Sequence, residues 1–169
     1  ATTSQEGMAR ATAQATQEAE KAADAIRKQA SAALELVAAQ LSASNSAVAY
    51  AQSSASVADI IAKIQQGTEG YAATLDLTTE AGRRNQSALN DLAASALRVA
   101  EDNLKAGEAT DSVKASMEGA RRGFITAAVA MGVSEARAQQ MASQFGLTSG
   151  TVDTLAQKVT RLHAAKNIN

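Results

Sequence analysis

The chain has 169 residues, enough for one domain, yet 42 of them are alanine, and there is no Trp, Pro or Cys and only two Phe and two Tyr. Alanine removes little apolar area from water but has the highest helix propensity, so the composition argues against a thick core and for thin, closely packed helices. A formal net charge of −1 with acids and bases interspersed gives no electrostatic case for nucleic acid or anionic membrane, and the lack of Cys excludes disulfides and thiolate metal sites. No apolar run approaches the ~18 residues of a membrane span, and no signal peptide is visible. The chain starts at Ala1 rather than Met, which is expected of a processed product or a piece of a longer protein.

Residues 1–66 are predicted as one long Ala-rich helix, weakened only at Gly7 and at the patch SASNSA (42–47). An uncapped tract of that length favours a coiled coil or an extended helix. Met8, Ala15 and Ala22 are seven apart, as are Ala19 and Ile26. Leu34, Leu41, Val48 and Ala55 continue a seven-residue repeat, with Ala30, Val37, Ser44, Ala51 and Ala58 on the companion positions. The four-and-four spacing of Ala22, Ile26 and Ala30 reads as a stutter. Leu34, Val37, Leu41 and Val48 are therefore candidate self-association residues, small alanines allowing close approach. The plainer alternative is a single amphipathic helix lying on another protein. Val57, Ile60, Ile61 and Ile64 form a further apolar face near the helix end.

Residues 67–78 read as a linker, with two glycines ahead of Tyr71, Leu75 and Leu77. Thr78 or Thr79 is a plausible N-cap, with Glu80 in the first turn where a negative charge suits the helix dipole. A helix to about Lys105 follows, with Leu89, Leu92, Ala96 and Val99 on one face. KAGEATD (105–111) is a turn, and Thr110 can cap the next helix, which ends at Met131 with Gly132 as the left-handed terminal residue. Ser134 caps a short helix stopped at Phe145 by Gly146, and Leu147 can fold back onto Met141. Residues 148–169 form a C-terminal tail, partly helical or frayed. The predicted fold class is all-α: a long, coiled-coil-like helix, a linker, and a compact module of short capped helices over 79–147. No segment alternates with period two for long enough to be a confident strand.

Catalytic signals are absent. The single histidine, His163, has no acidic or thiol partner in sequence and reads as a solvated side chain. Glu101 and Asp102 are adjacent, and adjacent helical residues diverge by about 100° and cannot grip one atom. There is no phosphate loop, no dinucleotide fingerprint and no nucleophile elbow. No catalytic residue, metal site or cofactor is expected, and an enzyme is not. The doublets Arg83-Arg84 and Arg121-Arg122 could touch phosphate or an acidic wall; the plainer reading is surface ion pairing, such as Arg122 with Glu118 at i, i+4.

MASQFGLTSGTVDTL (141–155) has the grammar of a helix-turn-helix: small residue, glycine turn, capping hydroxyl, apolar stripe. A recognition helix there would present Thr151, Asp153, Thr154 and Gln157, with only Lys158 and Arg161 nearby as cations. Phosphate contacts supply most DNA affinity and need several Lys or Arg. The same spacing arises whenever two short helices pack over a glycine stop.

LDLTTEAGRRNQSALNDLAASAL (75–97) followed by ARRGFITAAVAMGVSEARAQQMASQFGLTSGTVDT (120–154) resembles a recurrent module of bacteriophage tail tape measure proteins. The matching residues are Leu77, Thr78, Gly82 (one residue later than the usual spacing), Arg83, Asn85 and Leu89, then Arg121, Phe124, Ile125, Ala128, Met131, Gly132, Ser134, Ala138, Ala142, Gly146 and Leu147. Relatives usually continue with a proline after the glycine-leucine pair; here Ser149-Gly150 stands instead. The resemblance covers about half the chain, in the expected order. It implies a structural, non-enzymatic protein that lies in the tail tube lumen, sets tail length, scaffolds tube assembly and leaves ahead of the genome on ejection. It implies a homo-oligomer, a trimer as first guess, with tail tube and tail tip or hub proteins as partners, no sequence-specific nucleic acid, and host-envelope contact on ejection. The implied location is the virion, in the tail lumen or at the tip, after assembly in the host cytoplasm. Leu77, Leu89, Phe124, Ile125, Met131, Met141, Phe145 and Leu147 are the expected module core, and Thr78, Gly82, Gly132, Ser134 and Gly146 its turns and caps. Two alternatives come from other classes: a helix-turn-helix regulator using 134–162, and an Ala-rich signalling rod or secreted helical hairpin.

Overall fold

In the computed structural model the chain is described over residues 2–168, with side chains described over 5–165. It is helical, with no strand among the described residues: α1 (Thr2–Gln65), α2 (Glu80–Lys105), α3 (Thr110–Ala130), α4 (Glu135–Gln144) and α5 (Ser149–Ile168). The chain divides into two units, one ending at Ala38 and one beginning at Ala39. In the first unit the described side chains of α1 are solvent-exposed apart from Ala23, which is half-buried. Alanine, which dominates this stretch, has the highest helix propensity, and Glu, Gln, Lys and Arg between the alanines are also good helix formers.

The second unit holds the core. The central helix is α3, which packs against α2, α4 and α5, while α2 also meets α5. The buried face of α2 carries Leu89, Leu92, Ala93, Ala96, Ala100 and Leu104, spaced by threes and fours as one stripe of an amphipathic helix must be. Phe124, Leu89, Met131, Leu147, Val113 and Val152 are the largest fully buried apolar side chains. Phe124 meets the ring of half-buried Phe145 edge-on at 5.6 Å. The core extends to both sides of 79–147. Val57 and Ile60 of α1 join it, and so do Val152 and Val159 of α5. Of the expected alternatives for the C-terminal tail, the described residues are helical over Ser149–Ile168, with Val152 and Val159 buried.

Helix termini account for the joints. Thr79 caps α2, its hydroxyl accepting from the Gly82 amide at 3.0 Å, and the Ser134 hydroxyl accepts from the Arg137 amide at 3.3 Å to cap α4. At the end of α3, Val133 N donates to Ala128 O (3.0 Å) and Gly132 N to Val129 O (3.0 Å); at the end of α4, Leu147 N donates to Ala142 O (2.9 Å) and Gly146 N to Ser143 O (3.0 Å). Both are Schellman closures, which need a left-handed residue, and Gly132 (φ 96°) and Gly146 (φ 83°) supply it.

Four expectations are corrected. Thr78 is not the cap of α2: its amide (3.0 Å) and hydroxyl (2.8 Å) both donate to Asp76 Oδ1, closing a local turn one residue upstream of the true cap. That turn faces Leu77 outward, so Leu77 is 60% exposed and not core; Leu75 packs against the core in its place. Gly82 is not a turn residue but lies in the first turn of α2, where a Cβ would collide with the backbone of Asp76. Thr110 does not cap α3; Ala109 occupies that position with no side-chain hydrogen bond.

Candidate functional site

Two features stand out as places where this chain can act: the exposed aliphatic row on α1, and the strap 67–79 clasped against the start of α2. The row consists of the predicted self-association residues. Leu34, Val37, Leu41 and Val48 are 70, 59, 61 and 53% exposed, and Ile26 and Leu36 are exposed as well. The heptad spacing read in the sequence leaves them uncovered within the single chain. Of the predicted module core, Leu89, Phe124, Met131, Met141 and Leu147 are buried, and Ile125 and Phe145 pack against them half-buried.

The strap is fastened by residues whose tertiary role has no signature in local sequence. Asn85 is buried at 1% exposure, and its amide nitrogen donates to Ala72 O (2.8 Å) and Thr74 O (2.9 Å). Arg84 donates to Gly70 O (3.0 Å) and lies 4.2 Å from the ring centroid of Tyr71, and Lys63 Nζ lies 5.1 Å from the same centroid. Arg83 donates to Leu77 O (3.0 Å). The Lys63 ammonium is pushed up from its ordinary value by the hydrogen bonds it donates, first to the Asp59 carboxylate and then to the Tyr71 hydroxyl. The Asp76 carboxyl is held below the usual carboxylate range by the Thr78 amide and hydroxyl. Gly132 completes the clasp, since a Cβ there would strike the Ala73 carbonyl.

The second arginine doublet also fastens backbone. Arg121 donates to Leu147 O (3.0 Å), Gln139 O (3.2 Å) and Ser143 Oγ (3.0 Å), tying α3 to the α4–α5 corner. The expected Arg122–Glu118 pair does not form. Cations near α5 are also engaged: Lys114 pairs with Asp153 (2.7 Å) and Lys158 with Glu101 (3.6 Å). A buried Ser46 hydroxyl, a position sequence reading passes over, hydrogen-bonds the Asp102 carboxylate and links α1 to α2.

An open groove of about 510 Å³ runs between α3 and the α4–α5 corner, lined by Lys114, Met117, Glu118, Arg121 and Leu147 among others. Of its lining hydroxyls, Ser143 is bonded to Arg121 and Thr148 to Thr151. His163 is exposed. Among the described residues no group of His, Asp or Glu is placed to hold a metal, and no helix is long and apolar enough to cross a membrane. No family model matches the chain, and no curated protein or solved structure matches it.

Proposed function

We propose that this chain is a segment of a phage tail tape measure protein, acting as a structural ruler and not as a catalyst. The observation that carries the reading is α1. It runs for 64 residues, and each helical residue adds about 1.5 Å of rise. A helix converts residue number into length, and alanine keeps its cross-section small. The ordered resemblance of 75–97 and 120–154 to the tape measure module adds to it. The coiled-coil character of α1, the short capped helices behind it, and placement in the tail lumen or at the tip belong to the same proposal. On this reading the second unit is a compact docking body, and the first is the slim part.

The helix-turn-helix alternative has less support. The corner has the right turn, but Lys114 and Lys158 are spent on Asp153 and Glu101, and few cations are left to meet phosphates.

The test is an in-frame deletion of residues 9–29 in the parent gene, with tail length measured in electron micrographs. The deletion stays within the first unit and spares Ser46, Val57 and Ile60, which the core uses. Three heptads are removed, so the repeat downstream keeps its phase. A ruler shortens the tail by about 30 Å. Infectious virions with tails of unchanged length would refute the ruler role.

A further inference from the structure

We infer that residues 39–56 of α1 form a hinged lid, latched by the Ser46 hydroxyl to the Asp102 carboxylate and anchored behind it by Val57 and Ile60, which opens the apolar cavity that Tyr50 lines while α2–α5 stay folded. The inference goes beyond the ruler reading and does not depend on it.

From Ala39 onward α1 is fastened unevenly along its core side. Val57 and Ile60 are buried, Ile61 and Ile64 pack against the core, and the strap that follows is bonded to Arg84 and Asn85. Over 39–56 the only buried side chain is Ser46, and Tyr50 is half-buried. Among the described residues, the Ser46–Asp102 bond is the one side-chain hydrogen bond that joins 39–56 to the rest of the chain. A helix held firmly at one end and by a single bond further out tilts about the firm end. Ser46 lies fourteen residues before Ile60. At the helical rise that is roughly 21 Å along the axis, so a tilt of about 15° carries Ser46 roughly 5 Å.

What lies under the lid keeps the tilt undemanding. A cavity of about 80 Å³ lies among Tyr50, Ala96, Ala100, Val113, Met117 and Ala120. Protein interiors seldom leave such voids, and the atoms around one lack dispersion contacts on that side. The α2 and α3 walls carry three alanines, whose exposure brings little apolar area into water. The latch is replaceable as well. Asp102 is only half-buried, so water can take the place of the Ser46 hydroxyl, and such an exchange changes little in net free energy. Behind the lid, α3 packs against α2, α4 and α5, and α2 against α5, without α1. Segments with few buried apolar contacts open well below the free energy of global unfolding. Opening bares the α2–α3 face that Tyr50 covers, so the latched and open states present different surfaces.

The chain has no native cysteine, so a single introduced thiol reports its own exposure. Ala100→Cys places one in the cavity wall, and Ala128→Cys places one in α3 outside the cavity lining; both alanines are buried. Each full-length variant is treated with a methanethiosulfonate under native conditions. The Ala100→Cys thiol is expected to react about tenfold faster than the Ala128→Cys thiol, because opening the lid is a smaller excursion than unfolding. Low urea should leave the Ala100→Cys rate nearly flat and raise the Ala128→Cys rate steeply, since each responds to the surface its opening exposes. Adding Ser46→Ala, or separately Asp102→Ala, should speed labelling at Ala100→Cys about fivefold, as loss of one hydrogen bond implies, and leave Ala128→Cys unchanged. Asp102→Asn keeps an oxygen acceptor for Ser46 and should stay near the parent. Ala96→Cys, also in the cavity wall, repeats the measurement if Ala100→Cys does not fold. Equal labelling at 100 and 128, or Ser46→Ala speeding both sites alike, overturns the lid. Those results with tails that still shorten on deletion of 9–29 leave the ruler reading standing. Latch-dependent labelling with tails of unchanged length leaves the lid standing and removes the ruler.

Discussion

Replacing Asn85 by alanine tests whether the strap is held by one buried amide. The Asn85 amide nitrogen is the donor for both Ala72 O and Thr74 O, at 2.8 and 2.9 Å. Each such bond contributes about 1 kcal/mol net, and truncating a buried side chain adds a packing loss. Ala72 is exposed, so its freed carbonyl can bind water and the penalty stays at the low end of the range for orphaned groups. The expected cost of Asn85→Ala is about 2–3 kcal/mol. With a urea m-value of about 2 kcal/mol/M, that lowers the unfolding midpoint by about 1–1.5 M. Tyrosine fluorescence is the useful probe, because there is no Trp and Tyr71 sits in the strap close to both Lys63 and Arg84. Asn85→Asp is nearly isosteric but turns acceptor oxygens toward two carbonyls, and it should cost more than alanine. Gln86→Ala, which loses only an exposed bond to Asn90, should stay within about 0.5 kcal/mol. An Asn85→Ala midpoint within 0.3 M of the parent, or an aspartate variant as stable as the parent, refutes the fastening role.

Glycines should divide by environment. Gly132→Ala forces a positive φ on a residue with a Cβ aimed at the Ala73 carbonyl, and should cost at least about 2 kcal/mol in chemical unfolding. Gly119→Ala, in the interior of α3 with nothing near the added methyl, should stabilise by about 0.5–1 kcal/mol in the same assay; destabilisation there would mean the face is already occupied. Asp76 carries a pH signature. Its folded carboxyl lies below the ordinary range, so the stability it contributes is present above the unfolded value and is lost as pH falls through the depressed one. Thr78→Val removes the hydroxyl donor and keeps the amide, and the Asp76 titration followed by NMR should move up part of the way; an unmoved midpoint would show that the hydroxyl does not hold it.

The glycine stops at the C-terminal ends of α3 and α4 were readable because their chemistry is local. A Schellman closure needs glycine within a few residues of the carbonyls it satisfies, and Gly132 and Gly146 announce it without tertiary information. The buried stripe of α2 was readable for the same reason, since Leu89, Leu92 and Ala96 repeat at helical spacing. Leu77 was misread because a strap has no period: one Asx-type turn at Asp76 decides which of Leu75 and Leu77 faces inward. Asn85, Arg121 and Ser46 were opaque in their structural roles because each acts on a partner far along the chain. Arg121 closes on Leu147, and Ser46 on Asp102. An arginine doublet looks the same in sequence whether it meets solvent acids or a neighbouring helix's carbonyls.

The same distinction explains α1. Its sequence superposes two apolar patterns on one helix. One is a heptad row, Leu34–Leu41–Val48, and the other is the shorter face of Val57, Ile60 and Ile64. Periodicity reveals both, but it cannot assign them to different partners, because a stripe states a direction and not an occupant. The fold makes the assignment for one of them. Val57 and Ile60 fall to 5 and 8% exposure against the core, while Leu41 and Val48, within the same unit, remain more than half exposed. A helix that needed only to lie on its own core would gain nothing from a second aliphatic row on the far side. Such a row costs solubility in a monomer, since exposed contiguous apolar surface promotes association. Here the row keeps its seven-residue spacing through a stretch stripped of charge, and the chain's own core leaves it uncovered.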